Sequence, residues 1–101
     1  MKIDAVCFDM DGTLIRNTNS VRYLCMLAGK KKEFDEIECL EDDGSVTWIE
    51  GDFLKAKLIK GLDIAELEKN FDNYIRLIRN LDMVMRYLKD RNIKSVLITA
   101  G

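Results

Sequence analysis

Histidine and proline are absent from the 101-residue sequence, and cysteine is scarce. The lack of histidine excludes Ser-His-Asp and Cys-His catalysis and any histidine-ligated metal site. The three cysteines, Cys7, Cys25 and Cys39, are odd in number and lack the C-x-x-C spacing. These features argue against a disulfide framework and a structural zinc site. We therefore expect the cysteines to be small core residues in a reducing cytoplasm.

An excess of positive charge is also missing. Sixteen Lys and Arg residues stand against eighteen Asp and Glu residues, for a net charge of -2. This balance predicts no nucleic-acid partner and no attraction to an anionic membrane. No apolar run approaches the roughly 18 residues that span a bilayer, and the first apolar run is too short and too acidic for a signal peptide. We expect a cytoplasmic protein.

Two short apolar runs near the chain ends, residues 3–8 and 95–98, are the candidate strands. Neither shows the alternation of apolar and polar residues that is typical of a half-exposed strand. Continuous apolar strands belong to parallel sheets that are covered on both faces. The sequence therefore predicts two buried parallel strands, each followed by polar residues at its carboxyl end.

Apolar residues between these runs recur at helical spacing. The first helix is expected to stop at Gly29, and a turn is expected over residues 42–45. Thr47 and Glu50 have the spacing of a capping box, and Asp63 opens a looser version of the same signal. The stripe behind Asp63 predicts one helix and consists of Ile64, Leu67, Phe71, Tyr74, Ile75 and Ile78.

The order of strand, helices and strand predicts an α/β protein that is mostly helical. A βαβ crossover needs only about a dozen residues between its strands. We therefore interpret residues 17–78 as a helical insertion and residues 80–91 as the crossover helix. Residues 1–16 and 79–101 would form the strand-bearing core.

The motif D-x-D-G-T-L follows the first strand directly, beginning with Asp9 and Asp11. Ligands of open α/β sheets bind at the carboxyl ends of parallel strands. One carboxylate there could attack a phosphoryl group while the other shuttles the proton. Gly12 would let the backbone turn and present N–H groups to an anion, and Thr13 adds a hydroxyl. A phosphate facing two carboxylates implies a divalent cation.

Other interpretations of this motif remain open. Asp-Gly is a common turn signal, and aspartates after a strand often cap a helix. An EF-hand fails on spacing, since Leu14 and Ser20 stand where Gly and Glu are required. Thr99, with the backbone of Ala100 and Gly101, follows the second strand and would lie beside Asp9 if the strands pair in parallel. A simple turn is the alternative there.

Together, residues 9–14 and the run from Val96 to Thr99 resemble the first two motifs of the haloacid dehalogenase-like (HAD) phosphohydrolase superfamily. The layout of the middle is similar to the phosphoserine phosphatase branch, which inserts a helical cap between these motifs. The resemblance implies the first βαβ unit of a Rossmann-like parallel sheet. It also implies a Mg²⁺-dependent hydrolase that acts on a small phosphorylated metabolite through an aspartyl-phosphate.

The resemblance assigns roles by position. Asp9 would be the nucleophile and a metal ligand, and Asp11 the general acid/base with its carbonyl on the metal. The phosphate would be bound by Gly12, Thr13, Thr99, Ala100 and Gly101.

The resemblance also suggests cap contacts with the substrate. Lys55 falls where the branch has an arginine for a substrate carboxylate. The alternative for Lys55, Lys57 and Lys60 is a solvated helix face. Thr18 falls where the branch has a glutamate for a substrate amino group, which argues against phosphoserine itself.

The superfamily also has a third-motif lysine and fourth-motif acids on strands that follow the second. The 101 residues of this sequence do not contain them in a recognisable pattern. We therefore expect the N-terminal portion of such an enzyme, inactive by itself. An uncovered sheet edge would favour self-association or pairing with a C-terminal half. The alternative is a non-catalytic binding or interaction module derived from the same fold.

Overall fold

A computed structural model describes residues 1–99 of the chain. Ala100 and Gly101, both expected to bind phosphate, lie outside the described residues. The fold is α/β and mostly helical, as predicted. Its elements are, in chain order, β1 (Ala5–Asp9), α1 (Ser20–Leu27), α2 (Lys31–Asp42), α3 (Trp48–Leu58), α4 (Ile64–Tyr74), α5 (Leu81–Asp90) and β2 (Lys94–Ile98). None of these helices has the length and apolar character needed to cross a bilayer.

The two strands pair in parallel, with α5 in the connection that leads into β2. Ala5 lies opposite Lys94 at one end, and Asp9 lies opposite Ile98 at the other. The parallel pairing confirms the prediction from the apolar runs. β1 extends one residue further than predicted, so that Asp9 is the last residue of the strand and not the first of the loop.

The predicted burial of the strands is wrong. All five residues of β2 are exposed, and β1 alternates between exposed and half-buried positions. Leu97 and Ile98 keep 54% and 57% of their surface accessible. A parallel sheet is buried when helices and further strands cover both faces and both edges. Within residues 1–99 the sheet has two strands, so its apolar residues lack that cover.

The predicted helix signals are largely confirmed. Gly29 follows α1 with φ at +72°, a left-handed conformation that glycine adopts at no steric cost. The capping box before α3 is complete: the Glu50 N–H donates to the Thr47 hydroxyl at 3.2 Å, and the Thr47 N–H donates to the Glu50 carboxylate at 3.0 Å. These bonds satisfy backbone donors that the first helical turn leaves unpaired.

The fourth helix is shorter than its apolar stripe. α4 ends at Tyr74, although the stripe continues to Ile78. Beyond Tyr74 the chain is extended, and Leu77 forms an antiparallel bridge with Ile15. Ile75 is buried outside any helix. Apolar residues at such spacing cannot distinguish a last helical turn from an extended segment that buries alternate residues.

The chain divides into two compact units. We call Ser20–Tyr74 the helical unit, and Met1–Asn19 with the segment from Ile75 onward the strand unit. Residues 17–19 and 75–78, which the sequence analysis placed in the insertion, therefore lie in the strand unit.

The helical unit has a core of its own. Its buried apolar residues include Tyr23, Cys25, Phe34 and Ile37. Of the three cysteines, Cys25 is buried as expected, whereas Cys7 and Cys39 are exposed. The prediction of three core cysteines is therefore correct for one of them. The other two lie on the exposed β1 strand and on the outer surface of α2.

Candidate active site

The carboxyl ends of the two strands bring Asp9 and Thr99 to the same edge of the sheet. Asp9 is the last residue of β1 and lies opposite Ile98, so Thr99 follows immediately on the neighbouring strand. This placement is the one that the sequence predicts. It follows from the parallel register, because the carboxyl ends of parallel strands meet at one edge.

A tight loop after β1 carries the remaining residues of the motif. The Met10 carbonyl accepts hydrogen bonds from the N–H groups of Thr13, Leu14 and Ile15, at 3.3, 2.9 and 3.0 Å. The Gly12 N–H donates to the Ile15 carbonyl at 2.9 Å. Gly12 has φ at +80°, where an L side chain would be strained. The sequence D-G-T therefore forms a closed turn directly beside the nucleophile candidate.

Within this loop the Thr13 hydroxyl donates to Oδ2 of Asp9 at 3.1 Å. Asp9 is exposed, and Asp11 is half-buried opposite Ile15. The bond engages one oxygen of the exposed Asp9 carboxylate and helps to orient it. The sequence analysis assigned Thr13 to phosphate and missed this contact, although a hydroxyl four residues after an aspartate across a tight turn is a recognisable signal.

The loop hydrogen bonds also bear on phosphate binding. The N–H groups of Gly12 and Thr13 both donate to carbonyls of the loop itself. A phosphate that recruits either group would compete with those bonds. The phosphate-binding roles of Gly12, Thr13 and Thr99 stay predictions.

The donor set of the loop is compatible with a magnesium ion. Mg²⁺ prefers oxygen ligands and is usually held by one or two carboxylates, with water and substrate phosphate completing its shell. Asp9 and Asp11 supply two such carboxylates at the edge of the sheet. Across residues 1–99 no three acidic or cysteine side chains converge into a fuller metal cluster. Magnesium binding by Asp9 and Asp11 stays a prediction.

In the helical unit, Lys55 lies inside an ionic cluster. Its side chain is 9% exposed and donates to Oε2 of Glu41 at 3.0 Å and to Glu38. The ammonium group also lies 5.1 Å from the centre of the Phe34 ring. The interpretation of Lys55 as part of a solvated face is therefore wrong, because the side chain crosses from α3 to carboxylates on α2. A substrate contact by Lys55 stays a prediction.

Burial and pairing act on Lys55 in opposite directions. Burial by itself would lower the pKa of the ammonium group, but the hydrogen bonds to Glu38 and Glu41, with their negative charges, raise the pKa above its ordinary value of 10.5. Lys55 is therefore a fixed cation of the helical unit throughout the physiological range.

Gly51 completes this cluster from the facing helix. A Cβ atom built on Gly51 would lie 1.6 Å from Oε1 of Glu41. That oxygen is buried and has no hydrogen-bond partner in the structure. The missing side chain therefore makes the space into which the Glu41 carboxylate fits. Sequence reasoning missed Gly51, although a glycine inside a helix is itself a signal of close packing.

No protein-family model matches the sequence, and no curated protein is significantly similar to it. Solved structures of a HAD family hydrolase and of phosphoserine phosphatase share its fold. A HAD family hydrolase from Salmonella enterica aligns over 94% of this chain and 32% of its own, with a TM-score of 0.77 and 22% identity.

Two of these neighbours are phosphoserine phosphatases. A phospho-aspartyl intermediate analogue of phosphoserine phosphatase aligns with a TM-score of 0.68 and 23% identity. A substrate-bound phosphoserine phosphatase complex aligns with a TM-score of 0.70 and 22% identity. Both alignments cover 100% of this chain and 47% of the other. The resemblance to the HAD fold is therefore confirmed, and the chain spans a third to a half of the length of these proteins.

Proposed function

We propose that the chain carries the nucleophilic site of a phosphomonoester hydrolase that acts through an aspartyl-phosphate. The observation that carries the proposal is the exposed Asp9 carboxylate at the carboxyl end of β1, oriented by the Thr13 hydroxyl and followed by a second carboxylate in the same loop. The HAD-type fold of the chain supports it, since one neighbour is an analogue of a phospho-aspartyl intermediate.

In this mechanism Asp9 attacks the phosphorus atom and the bond from phosphorus to the leaving oxygen breaks. Asp11 protonates the leaving alkoxide and then removes a proton from the water that hydrolyses the aspartyl-phosphate. Thr99 would donate its hydroxyl to a phosphoryl oxygen. The Asp9 carboxylate and the Asp11 backbone carbonyl would hold Mg²⁺, which would supply positive charge against the phosphate dianion. The substrate we propose is a small phosphorylated metabolite.

The remaining charge stabilisation would come from residues beyond those in this sequence. Phosphoryl transfer depends mainly on positioning and electrostatic stabilisation. We therefore propose that the 101-residue chain by itself turns over slowly and that the activity belongs to a longer protein or a complex that contains it. We also propose a cytoplasmic location, which is supported by three cysteines that are odd in number and lack the C-x-x-C spacing.

The test is a steady-state assay with Mg²⁺ and p-nitrophenyl phosphate or phosphoserine, on the protein at its native length and on the chain. Asp9→Asn should abolish turnover, because an amide is a poor nucleophile and metal ligand. Asp11→Asn should reduce turnover by roughly 10²–10⁴-fold. Asp4→Asn is the matched control, since the Asp4 side chain is 82% exposed at the other end of the sheet. Turnover that survives Asp9→Asn would overturn the proposal. If the unmodified protein shows no turnover either with or without Mg²⁺, the result would favour a non-catalytic module.

A further inference from the structure

Two segments of the strand unit, residues 14–16 and 76–78, lie side by side as a short antiparallel ladder, which we call the linker ladder. Its backbone hydrogen bonds run from the Arg16 N–H to the Arg76 carbonyl at 3.2 Å and from the Ile78 N–H to the Leu14 carbonyl at 3.0 Å. These bonds join segments that are distant in the chain, and closing such a loop costs entropy. A further bond at the end of the ladder helps to offset that cost.

Asn17 supplies that further bond. Its side-chain oxygen accepts a hydrogen bond from the Arg76 N–H at 2.9 Å, across 59 residues of sequence. Asn17 follows the ladder directly, so its side chain takes the place that a backbone carbonyl would hold in a longer strand pair. An uncharged side chain in a linker gives no signal of this role in the sequence.

The linker ladder is joined to the tight loop after β1 through Ile15. The Ile15 backbone accepts from the Gly12 N–H at 2.9 Å and donates to the Met10 carbonyl at 3.0 Å. The same residue bridges Asp11 on one side and Leu77 on the other. Ile15 is only 5% exposed, so it is held firmly in place. The position of the loop is therefore set by the strand segment that Asn17 closes.

We propose that Asn17 is a positioning residue for the loop that follows Asp9 and carries Asp11. It acts through the linker ladder. The Asn17 side-chain oxygen hydrogen-bonds the Arg76 N–H, the segment from Arg76 to Ile78 pairs with Ile15, and Ile15 hydrogen-bonds the loop. The structural part of this inference stands independently, whereas its kinetic part rests on the proposed phosphatase function. Loss of the bond would loosen the loop and misplace the reacting carboxylates without removing any group that touches substrate.

The structural test is backbone amide hydrogen exchange on the 101-residue chain. In Asn17→Ala, exchange should accelerate at the Arg76 amide and also at the Gly12 and Ile15 amides. The expected acceleration is about five- to tenfold, which corresponds to the loss of one hydrogen bond. Asn17→Asp should restore slow exchange, because a carboxylate oxygen can accept the same bond. Asn73→Ala, at an exposed asparagine of α4, is the matched control and should leave all three amides unchanged. Acceleration at Arg76 without acceleration in the loop would overturn the proposal.

The kinetic test separates this inference from the proposed function. In the protein at its native length, Asn17→Ala should lower kcat with little change in KM, and Asn17→Asp should recover most of it. An unchanged kcat in Asn17→Ala, with the loop amides accelerated, would contradict the positioning role. If the unmodified protein shows no turnover, the proposed function fails, and the exchange data still decide whether Asn17 holds the loop.

Discussion

The helical unit and the strand unit bury their apolar residues in different ways. In the helical unit the buried residues lie on the helices, and Phe34 and Cys25 retain 2% and 0% of their surface. In the strand unit the buried residues lie in the linker ladder, at the adjoining Ile75 and on α5, while Val96, Leu97 and Ile98 of β2 are exposed. Helices can bury one stripe against one another, whereas a parallel strand needs cover on two faces and two edges.

The two units also differ in where their charged side chains lie. The helical unit holds a core and an ionic cluster in which Glu38 and Glu41 pair with Lys55. The strand unit holds the exposed Asp9 and the half-buried Asp11 at the carboxyl end of an open sheet. Sites of chemistry are commonly placed on loops at the ends of such strands, where side chains can meet a ligand.

The largest effect is expected from the same Ile→Ala substitution made once in each unit. Ile37 in the helical unit is 8% exposed, and Ile98 in β2 is 57% exposed. Ile37→Ala should lower the free energy of unfolding by about 2–5 kcal/mol, because it leaves a cavity. Ile98→Ala should lower it by less than about 1 kcal/mol. Urea unfolding followed by circular dichroism measures both, and equal losses would show that the sheet is buried in solution.

The next test concerns the ionic cluster. Lys55→Met should destabilise the protein by about 3 kcal/mol, because the Glu41 carboxylate would remain buried without its cation. Lys57→Met, at an exposed position on the same helix, should change the stability by less than about 0.5 kcal/mol. Similar effects of the two substitutions would contradict the structural role of Lys55.

The pH dependence of the stability lost in Lys55→Met gives a second check on the ionic cluster. Because the folded pKa of Lys55 is raised above 10.5, the cluster contributes its full stability below that value. The contribution is lost as the pH rises through the folded pKa. The stability difference between the unmodified chain and Lys55→Met should therefore be constant across neutral pH and shrink only under alkaline conditions. A difference that disappears near pH 7 would show that Lys55 titrates as an unpaired buried amine.

A smaller effect is expected at Gly51. Gly→Ala inside a helix usually stabilises by up to about 1 kcal/mol. Here Gly51→Ala should destabilise by about 1–2 kcal/mol, because the new methyl group would push the Glu41 carboxylate away from Lys55. In a Glu41→Ala background the same substitution should be neutral or stabilising. A double-mutant cycle by urea unfolding measures the coupling, and additive effects would contradict the close packing of Gly51 on Glu41.

The parts of the fold that depend on local signals could be predicted from the sequence. The capping box at Thr47 is a local pattern, and the edge shared by Asp9 and Thr99 follows from two apolar runs and the rules for parallel strands. The D-x-D-G-T-L motif names the candidate nucleophile because its residue types and spacing carry the chemistry. These features need no knowledge of which helix packs on which.

Features that depend on contacts between distant segments could not be predicted. Lys55 looks like other lysines of α3, and its partners Glu38 and Glu41 lie on α2. α4 ends at Tyr74, and residues 76–78 beyond it pair with residues 14–16. Asn17 has no distinguishing pattern until Arg76 is placed beside it. In each case the deciding partner is remote in sequence, so that periodicity and propensity carry no information about it.

The central claim is that Asp9 is a nucleophile presented at the carboxyl end of β1. Beryllofluoride, which mimics a phosphoryl group on a carboxylate, tests it without requiring turnover. Titration with Mg²⁺ and beryllofluoride, followed by ¹H–¹⁵N NMR of the protein at its native length, should perturb the amides of Asp9, Gly12 and Thr99. Asp9→Asn should abolish the response, and Asp4→Asn should preserve it. Binding that persists in Asp9→Asn, or perturbations confined to residues away from this loop, would contradict the account.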